Sequence, residues 1–388
     1  MGNPWSPSSS VRSRVAPFYV MQVYGAAELR RAQGQAVFNL AAGQPASGAP
    51  SAVLQAAGRA LTESRLGYTT ALGIPELREA IAAHIGRWYG IDVPSRNVVV
   101  TTGSSGGFLI SFLAGFDAGD AVAMARPGYP AYRNILTSLG CRVLEFDCGP
   151  QQGFVPTAAG LSRLSEVPSG LIVASPANPT GSMLSPLQFQ EITEWCDRHG
   201  VRLVSDELYH GISYSGPAST AWASSRTPIV VNSFSKYFSM TGWRLGWLIV
   251  PDDLLDAVER LAGNFTICPP ALSQLAALAA FDSYAELDAN VARYSDNRDL
   301  LLKALPEIGL PNLAPADGAF YIYADVSDYT DDSHSWVHTV LADTGVALAP
   351  GIDFDPVNGH RFARLSFAGP TEDIEQALAA LGGYLRLA

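Results

Sequence analysis

A chain of 388 residues is long enough for two or three domains and for a core that buries a cofactor. Hydrophobic residues make up 48% and charged residues only 16%, a balance that excludes a mostly disordered chain. The formal net charge of -11 would repel a phosphate backbone or an anionic membrane surface, and no apolar stretch reaches the length of a membrane span. We therefore expect neither nucleic acid nor a membrane as a partner.

The cysteines show neither C-x-x-C spacing nor the density of a disulfide scaffold. There are four of them, Cys141, Cys148, Cys196 and Cys268. The start of the chain also lacks the charged-then-apolar order of a signal peptide. These features predict reduced thiols and a cytoplasmic protein.

Residues 1–45 are interpreted as an N-terminal arm and part of a small domain. Beyond them, short apolar runs rich in β-branched residues alternate with amphipathic segments, which is typical of a mainly parallel sheet flanked by helices. The predicted strands are Asn97–Thr102, Ala121–Ala125, Arg142–Phe146, Gly170–Ser175, Arg202–Ser205, Ile229–Asn232 and Gly246–Val250. The predicted helices are Ile74–Trp88, Gly106–Phe116, Ala131–Leu139, Pro186–Arg198 and Ala271–Ser283. In such sheets, ligands bind at the carboxyl ends of the strands.

The pattern changes after residue 285. A long helix is predicted over Glu286–Leu305, followed by short strands near Phe320–Tyr323 and Phe362–Phe367 and a closing helix over Glu372–Leu385. The predicted fold class is therefore α/β. A large three-layer domain, residues 46–285, has a mixed but mainly parallel sheet, and a smaller α+β domain covers residues 286–388.

An amine nucleophile has only two candidates, because the chain contains two lysines, Lys236 and Lys303. Lys236 lies just past a predicted strand, after Ser233 and Ser235 and before Arg244. A lysine in a desolvating or cationic environment has a lowered pKa and forms a Schiff base with a carbonyl, while serine hydroxyls and an arginine bind phosphate. The segment therefore suits a phosphorylated aldehyde.

A second candidate phosphate site follows another predicted strand, at Thr102–Gly107. The backbone N–H groups of Ser104, Ser105 and Gly106 would face a phosphate at a helix N-terminus. The same residues also fit G-x-S-x-G, the nucleophile elbow of a serine hydrolase. On that alternative, Ser105 is the nucleophile, and the base is a later histidine, His334, His338 or His360.

No metal site is predicted. His334 and His338 stand four residues apart near two aspartates, but a polar helix face explains this spacing equally well. Neither G-x-G-x-x-G nor a Walker A motif follows a predicted strand, so a nicotinamide or nucleotide enzyme has little support.

Six motifs, in order along the chain, resemble those of class I pyridoxal-phosphate-dependent aminotransferases, an aspartate aminotransferase-like superfamily of fold type I. The resemblance extends over nearly the whole chain. The segments are Gly67-Tyr68-Thr69 with Gly73 and Glu76-Leu77-Arg78, Ala174–Gly181, Ser205–Tyr209, Asn232–Gly246, Val346–Gly351 and Arg364–Ala368.

The resemblance implies pyridoxal 5′-phosphate as cofactor, bound as a Schiff base to Lys236. Asp206 would pair with the pyridine nitrogen and keep it protonated, which makes the ring an electron sink. Tyr209 and Asn178 would donate hydrogen bonds to the phenolic oxygen of the ring, and Tyr129 would stack on it, with Tyr132 as the other candidate for stacking.

The resemblance also implies how a substrate binds and how subunits assemble. Arg364 would grip the α-carboxylate with a bidentate fork, helped by Gly43 and Asn178. Tyr68 would reach the cofactor phosphate of a neighbouring subunit, which implies a homodimer with shared sites. Ala46 stands where the family usually has an acidic residue, so this loop departs from the pattern.

The sequence favours transamination between a neutral aliphatic amino acid, of the valine or alanine type, and pyruvate or 2-oxoglutarate. Ser105 stands where some aspartate-specific relatives have a lysine for the second carboxylate. Aspartate stays open as a donor because Arg14, Arg31 or Arg65 could supply a cation, and aromatic donors stay open because the abundant Tyr and Phe could line either kind of pocket. A carbon–sulfur β-lyase or a decarboxylase would use many of the same groups. A regulator that fuses an aminotransferase-like domain to a DNA-binding head is disfavoured by the acidic charge.

Overall fold

Strands and helices alternate through the middle of the chain, as the apolar pattern predicts. The computed structural model describes residues 9–387. In chain order, the strands of this part are β1 (Phe38–Asn39), β2 (Val98–Thr101), β3 (Ala121–Arg126), β4 (Arg142–Asp147), β5 (Gly170–Ala174), β6 (Arg202–Asp206), β7 (Ile229–Ser233), β8 (Gly246–Ile249), β9 (Tyr321–Asp325), β10 (Val346–Ala347), β11 (Ala349–Pro350) and β12 (Phe362–Ser366). The seven strands predicted for the central region differ from the observed ones by at most one residue at either end.

The α-helices of the same residues flank these strands. They are α1 (Tyr19–Ala32), α2 (Ser51–Glu63), α3 (Pro75–Tyr89), α4 (Gly103–Gly115), α5 (Pro130–Leu139), α6 (Ala158–Leu161), α7 (Pro186–His199), α8 (Leu255–Phe265), α9 (Ala271–Ala277), α10 (Tyr284–Glu307), α11 (Ser333–Thr344) and α12 (Thr371–Leu385). Within residues 9–387, none of these helices is both long and apolar enough to cross a membrane.

The large sheet has the order β2-β8-β7-β6-β5-β3-β4. β8 runs antiparallel to both of its neighbours, and the other pairs are parallel, so the sheet is mixed but mainly parallel, as predicted. β2, β5, β6 and β7 are buried or nearly so along their length, which explains their continuous apolar runs. Because β2 and β7 point the same way as β5 and β6, their carboxyl ends meet along one edge. This edge positions the candidate site.

The remaining strands form two small sheets in the second half of the fold. β9 and β11 pair antiparallel with β12, and β1 pairs parallel with β10. The first 45 residues therefore contribute a strand to the C-terminal part of the chain. The domain bounds at residues 45 and 285 stay a prediction.

Two helical predictions are corrected by the structure. α4 begins at Gly103, three residues before the predicted start, because it follows the end of β2 after one residue and the glycines at its start do not break it. α9 ends at Ala277 and continues as a tighter 3-10 turn, Leu278–Asp282. The N-terminal arm contains a helix that the pattern did not predict, α1, and residues 1–8 of the predicted arm lie outside the described part.

Candidate active site

The carboxyl ends of the central strands open into a cavity of about 460 Å³. Eleven residues predicted as site residues line it: Gly43, Ser104, Ser105, Tyr129, Asn178, Asp206, Tyr209, Ser235, Lys236, Arg244 and Arg364. These side chains come from segments that are far apart in sequence. Three of the predicted residues, Tyr68, Gly106 and Ser233, do not line the cavity.

Lys236 lies in the turn after β7, where the chain leaves the sheet, and its amine is partly buried. The amine donates a hydrogen bond to the carbonyl oxygen of Gly43 at 2.5 Å. Its pKa is lowered to about 8, chiefly because burial disfavours the charged ammonium, with further repulsion from Arg364 and Arg244 that Asp206 partly offsets. A larger fraction of the amine is therefore neutral and nucleophilic near neutral pH than for an exposed lysine.

Asp206 is the last residue of β6 and is buried. One carboxylate oxygen accepts the backbone N–H of Leu208 at 3.0 Å, and the other accepts the hydroxyl of Tyr132. Burial raises the pKa of Asp206 to about 6, and these two hydrogen bonds, together with Lys236, lower it in part. A buried carboxylate of this kind fits a cationic partner in the cavity.

Tyr129 and Tyr132, the two candidates for stacking on the cofactor ring, differ in whether they line the cavity. Tyr129 lines the cavity, and burial raises the pKa of its phenol to about 12. Tyr132 lies beneath it with the ring centroids 5.4 Å apart, and its hydroxyl is bound to Asp206. The structure thus places Tyr132 behind the carboxylate, and the sequence offered no signal for this contact.

The candidate phosphate end combines the start of α4 with Arg244 and Ser235. Gly103, at φ +76°, lets the two segments approach so closely that a side chain there would collide with the Arg244 guanidinium. Ser104 and Ser105 are the second and third residues of α4, so their N–H groups precede the first hydrogen bond of a regular helix. These donors, a helix N-terminus and an exposed arginine, suit a phosphate.

Two residues predicted for this end lie beside the cavity and not on it. Ser233 is buried and contacts the Ser235 hydroxyl at 2.8 Å and the Leu245 carbonyl at 3.0 Å, so it supports Ser235. Gly106 is the fourth residue of α4, where the regular helix pattern occupies the backbone N–H. Both residues therefore lie behind the cavity wall and do not line the interior of the cavity.

At the opposite end, Arg364 on β12 is 3% exposed. Its guanidinium donates to the Asn178 side-chain oxygen at 2.9 Å and to the Ala41 carbonyl at 2.7 Å. Its Nε is buried without a hydrogen-bond partner among the described residues. A guanidinium held in this way and facing the cavity suits a carboxylate ligand.

Sequence reasoning missed several residues of the cavity wall. The start of α1 adds an apolar side, and Tyr321 lies beside Arg364. The additional lining residues include Phe18, Val20, Met21, Tyr24, Leu208 and Tyr321. Tyr321 was predicted only as part of a strand. Alternation along a strand tells which residues share a face, and it carries no information on which hydroxyl that face meets.

The described residues provide what pyridoxal 5′-phosphate requires. A partly buried amine of lowered pKa, a buried carboxylate and a phosphate-binding helix start surround the cavity, and a buried guanidinium faces it from the far side. No histidine lines this cavity among residues 9–387, so Ser105 lacks the base of a hydrolase. Residues 9–387 also hold no group of three or more His, Cys, Asp or Glu side chains arranged for a metal ion.

The fold and this site define a family of transaminases. The model of the family described as aminotransferase class I and II matches residues 35–381, and the chain belongs to that family. Members of the family use pyridoxal 5′-phosphate, so the predictions of the family, the cofactor and a transaminase are confirmed.

Individual relatives match over almost the full chain. A curated relative from Mycobacterium tuberculosis, valine–pyruvate aminotransferase, is 58% identical over 381 residues, which are 97% of this chain and 98% of the relative. A crystal structure of an aminotransferase from Mycobacterium tuberculosis has a TM-score of 0.97 at 56% identity, covering 99% of this chain and 100% of the other. Aspartate aminotransferase from Thermus thermophilus, solved with maleate, has a TM-score of 0.92 at 31% identity, with coverage of 99% and 100%.

Proposed function

We propose that this transaminase exchanges the amino group between a neutral aliphatic amino acid, of the valine type, and pyruvate or 2-oxoglutarate. The most similar of the relatives described above, at 58% identity, is named for valine and pyruvate. The proposal depends mainly on the charges of the cavity, which match an amino acid with a single carboxylate.

The observation that carries the proposal is the small number of cations on the cavity wall. Among the described residues, the lysine and arginine side chains that line it are Lys236, Arg244 and Arg364. Each has a proposed partner: the cofactor aldehyde, its phosphate and the substrate α-carboxylate. A second substrate carboxylate would lack a counter-charge, and an unpaired buried carboxylate is costly.

The wall contributed by α1 favours the same substrate class. Phe18, Val20, Met21 and Leu208 line the cavity with apolar side chains. An aliphatic side chain that enters this space removes its own apolar surface from water, at roughly 25 cal/mol per Å². Arg14, Arg31 and Arg65, the arginines considered from the sequence, are not among the lining residues.

We assign the cofactor contacts as follows. Lys236 would bond to the aldehyde, Asp206 would pair with the ring nitrogen, Tyr209 and Asn178 would donate to the phenolic oxygen, and Tyr129 would pack on the ring. Ser104, Ser105, Ser235 and Arg244 would hold the phosphate, with Ser233 and Gly106 supporting them. When bound, pyridoxal phosphate stabilises negative charge that develops at the substrate Cα.

The protein's own residues then orient the substrate and move the proton. Arg364 would bind the α-carboxylate, because the Asn178 side-chain oxygen and the Ala41 carbonyl hold its guanidinium, and Gly43 lines the same cavity. Once an incoming amino group has displaced Lys236 from the aldehyde, the freed amine of Lys236 would take the proton from the substrate Cα as a base and later give it up as an acid. Its pKa of about 8 suits this exchange, because a general base works best when its pKa is close to the working pH.

We further propose that the enzyme is a cytoplasmic homodimer with shared sites. Tyr68 is 84% exposed and does not line the cavity of its own chain, which leaves its hydroxyl available to a second subunit. Leu61, Leu66, Phe265 and Ile267 are also exposed apolar side chains, and the contact of Thr69 with Cys268 brings the segments of Tyr68 and Ile267 together. Exposed apolar side chains that lie close together are typical of a surface covered by a partner.

A substrate panel tests the proposed function. The purified enzyme with pyridoxal phosphate is assayed with the twenty amino acids against pyruvate and against 2-oxoglutarate. Valine or alanine is expected to have the highest kcat/KM among the donors. If aspartate were the best donor by about ten-fold or more, which corresponds to about 1.4 kcal/mol, the proposal would be wrong.

A charge variant sharpens this test. Ser105→Lys places a cation on the cavity wall, and we expect it to raise kcat/KM for aspartate relative to valine. Gln190→Lys, an exposed change on α7 outside the cavity lining, serves as the control, with no expected change in this ratio. An unaltered ratio in Ser105→Lys would argue that the side-chain carboxylate binds elsewhere.

A further inference from the structure

We propose that Tyr321 is a positioning residue that aligns the cofactor-facing hydroxyl of Tyr209 through its own hydroxyl and the guanidinium of Arg364 through its ring. This inference rests on the proposed roles of Tyr209 and Arg364. It adds a residue that links the cofactor end and the carboxylate end of the cavity.

The first contact joins two phenols. The hydroxyl oxygens of Tyr209 and Tyr321 are 2.7 Å apart, and both side chains are buried. Each hydroxyl has one proton to donate. When the proton of Tyr209 is directed into the cavity, the hydrogen bond between the two phenols is donated by Tyr321 and accepted by Tyr209. Hydrogen bonds in such a chain polarise one another, so Tyr209 becomes a stronger donor toward the cavity.

The position of the Tyr321 hydroxyl is restricted on the opposite side by Gly43. A side chain at Gly43 would collide with this hydroxyl, so only a glycine leaves room for it. The carbonyl of the same Gly43 accepts the hydrogen bond of Lys236. Tyr321 is therefore packed between the residue that contacts the amine and the residue assigned to the phenolic oxygen.

The second contact is between the ring of Tyr321 and Arg364. The guanidinium carbon lies 4.3 Å from the centroid of the Tyr321 ring and 4.8 Å from that of Phe354. A guanidinium that stacks on aromatic faces gains cation–π attraction and loses freedom to rotate. The two rings and the acceptors Asn178 and Ala41 together orient the arginine.

Strand register explains why one side chain reaches both groups. In the pairing of β9 with β12, Tyr321 is opposite Ser366 and Tyr323 is opposite Arg364. Residues that are directly or diagonally opposite on an antiparallel pair share a face, so Tyr321 is the diagonal neighbour of Arg364. From this position, its hydroxyl end extends to Tyr209.

Three variants separate the two contacts. Tyr321→Phe removes the hydroxyl and keeps the ring, and Tyr321→Leu removes both. Tyr323→Phe is the matched control, because Tyr323 is on the same strand, equally buried, and its hydroxyl has no hydrogen-bond partner among the described residues. The readouts are the pH midpoint of the absorbance change of bound pyridoxal phosphate, and separate values of kcat and KM.

We expect Tyr321→Phe to raise the absorbance midpoint by about 0.5 pH units or more, because a weaker donor at the phenolic oxygen leaves more electron density to hold the imine proton. The KM for the amino acid should stay within about two-fold, since the ring remains on Arg364. Tyr321→Leu should shift the midpoint as much and also raise KM by about ten-fold. Tyr323→Phe should match the wild type in both readouts.

Each contrary result identifies what fails. An unchanged midpoint in Tyr321→Phe overturns the hydroxyl contact, and an unchanged KM in Tyr321→Leu overturns the ring contact. Loss of bound cofactor in Tyr321→Phe, with Tyr323→Phe normal, would show a structural role and overturn the proposal. A wild-type protein without a pH-dependent cofactor absorbance would instead contradict the proposed roles of Lys236 and Tyr209, and this inference with them.

Discussion

The amine of Lys236, in the turn after β7, is hydrogen-bonded to the carbonyl oxygen of Gly43, a residue 193 positions earlier in the chain. Gly43 follows β1, which pairs with β10 in the C-terminal half of the fold. The segment after β1, which is a strand of the two-stranded sheet, thus contacts the reactive amine directly. Packing between distant parts of the chain sets the surroundings of the amine and lowers its pKa.

Lys236 is predicted to carry the cofactor. Borohydride reduction of the enzyme with pyridoxal phosphate should fix the cofactor covalently to a peptide that contains Lys236, because this amine is the one at the cavity. Peptide mass spectrometry checks the position of the label. Lys303→Arg should be labelled like the wild type, whereas Lys236→Ala should take up no label. A label on Lys303 would contradict the assignment.

Arg364→Ala should weaken amino-acid binding severely while pyridoxal phosphate stays bound. A buried substrate carboxylate would lose its bidentate partner, at a cost of about 2 to 5 kcal/mol in kcat/KM. Steady-state kinetics and cofactor absorbance measure the two effects. Arg361→Ala is the matched control, since Arg361 is on the surface and pairs with Asp325. Equal loss of absorbance and activity in Arg364→Ala would mean a structural role.

Asp206 should make the cofactor-free protein less stable as the pH rises. Its folded pKa is raised to about 6, above the unfolded value of about 3.9, so the folded state binds the proton more tightly. The stabilising contribution is present below about pH 4 and is lost as the pH rises through 6. Asp206→Asn should therefore raise the Tm of the cofactor-free protein at pH 7.5 but weaken cofactor binding, by calorimetry and cofactor titration. A Tm below that of the wild type would contradict this reasoning.

Shared sites predict that two impaired variants complement each other. Tyr68→Phe should weaken cofactor binding to the neighbouring subunit, and Lys236→Ala should abolish the site of its own chain. A mixed dimer has one site with both residues intact, so mixing subunits after mild dissociation should restore activity above that of either variant. Light scattering checks the state of assembly. A fully active monomer would contradict shared sites.

Asp353 should hold the helix that forms the apolar wall. Its carboxylate accepts the backbone N–H groups of Tyr19 and Val20, at 2.8 and 2.6 Å, at the start of α1. Loss of such a cap costs about 1 kcal/mol, so Asp353→Ala should speed tryptic cleavage after Arg30 or Arg31 and raise the KM for valine. Ser185→Ala, which removes the side-chain cap of α7, is the control and should leave both unchanged. An unaltered cleavage rate would show that α1 is held by its packing alone.

The sequence by itself determined the sheet, the family and most of the cavity. Continuous apolar runs predict strands because both faces of a mainly parallel sheet are buried, and this regularity is local in the chain. A motif such as Ser233–Lys236 places an amine directly after a strand, and the carboxyl end of the strand then places it at the cavity. The resemblance of the chain's motifs to those of the family added the roles of Asp206, Tyr209 and Arg364.

Only the tertiary structure decided which groups touch across long distances in the sequence. The contacts of Tyr321 with Tyr209 and Arg364, and of Tyr132 with Asp206, join segments whose separation leaves no local pattern. The apolar wall that α1 contributes to the cavity also depends on distant contacts. The start of α1 is capped by Asp353, more than 300 residues later in the chain, so this wall is in place only once the chain has folded. Periodicity along the chain reports which face is buried, whereas the partner on that face is set by how the elements pack.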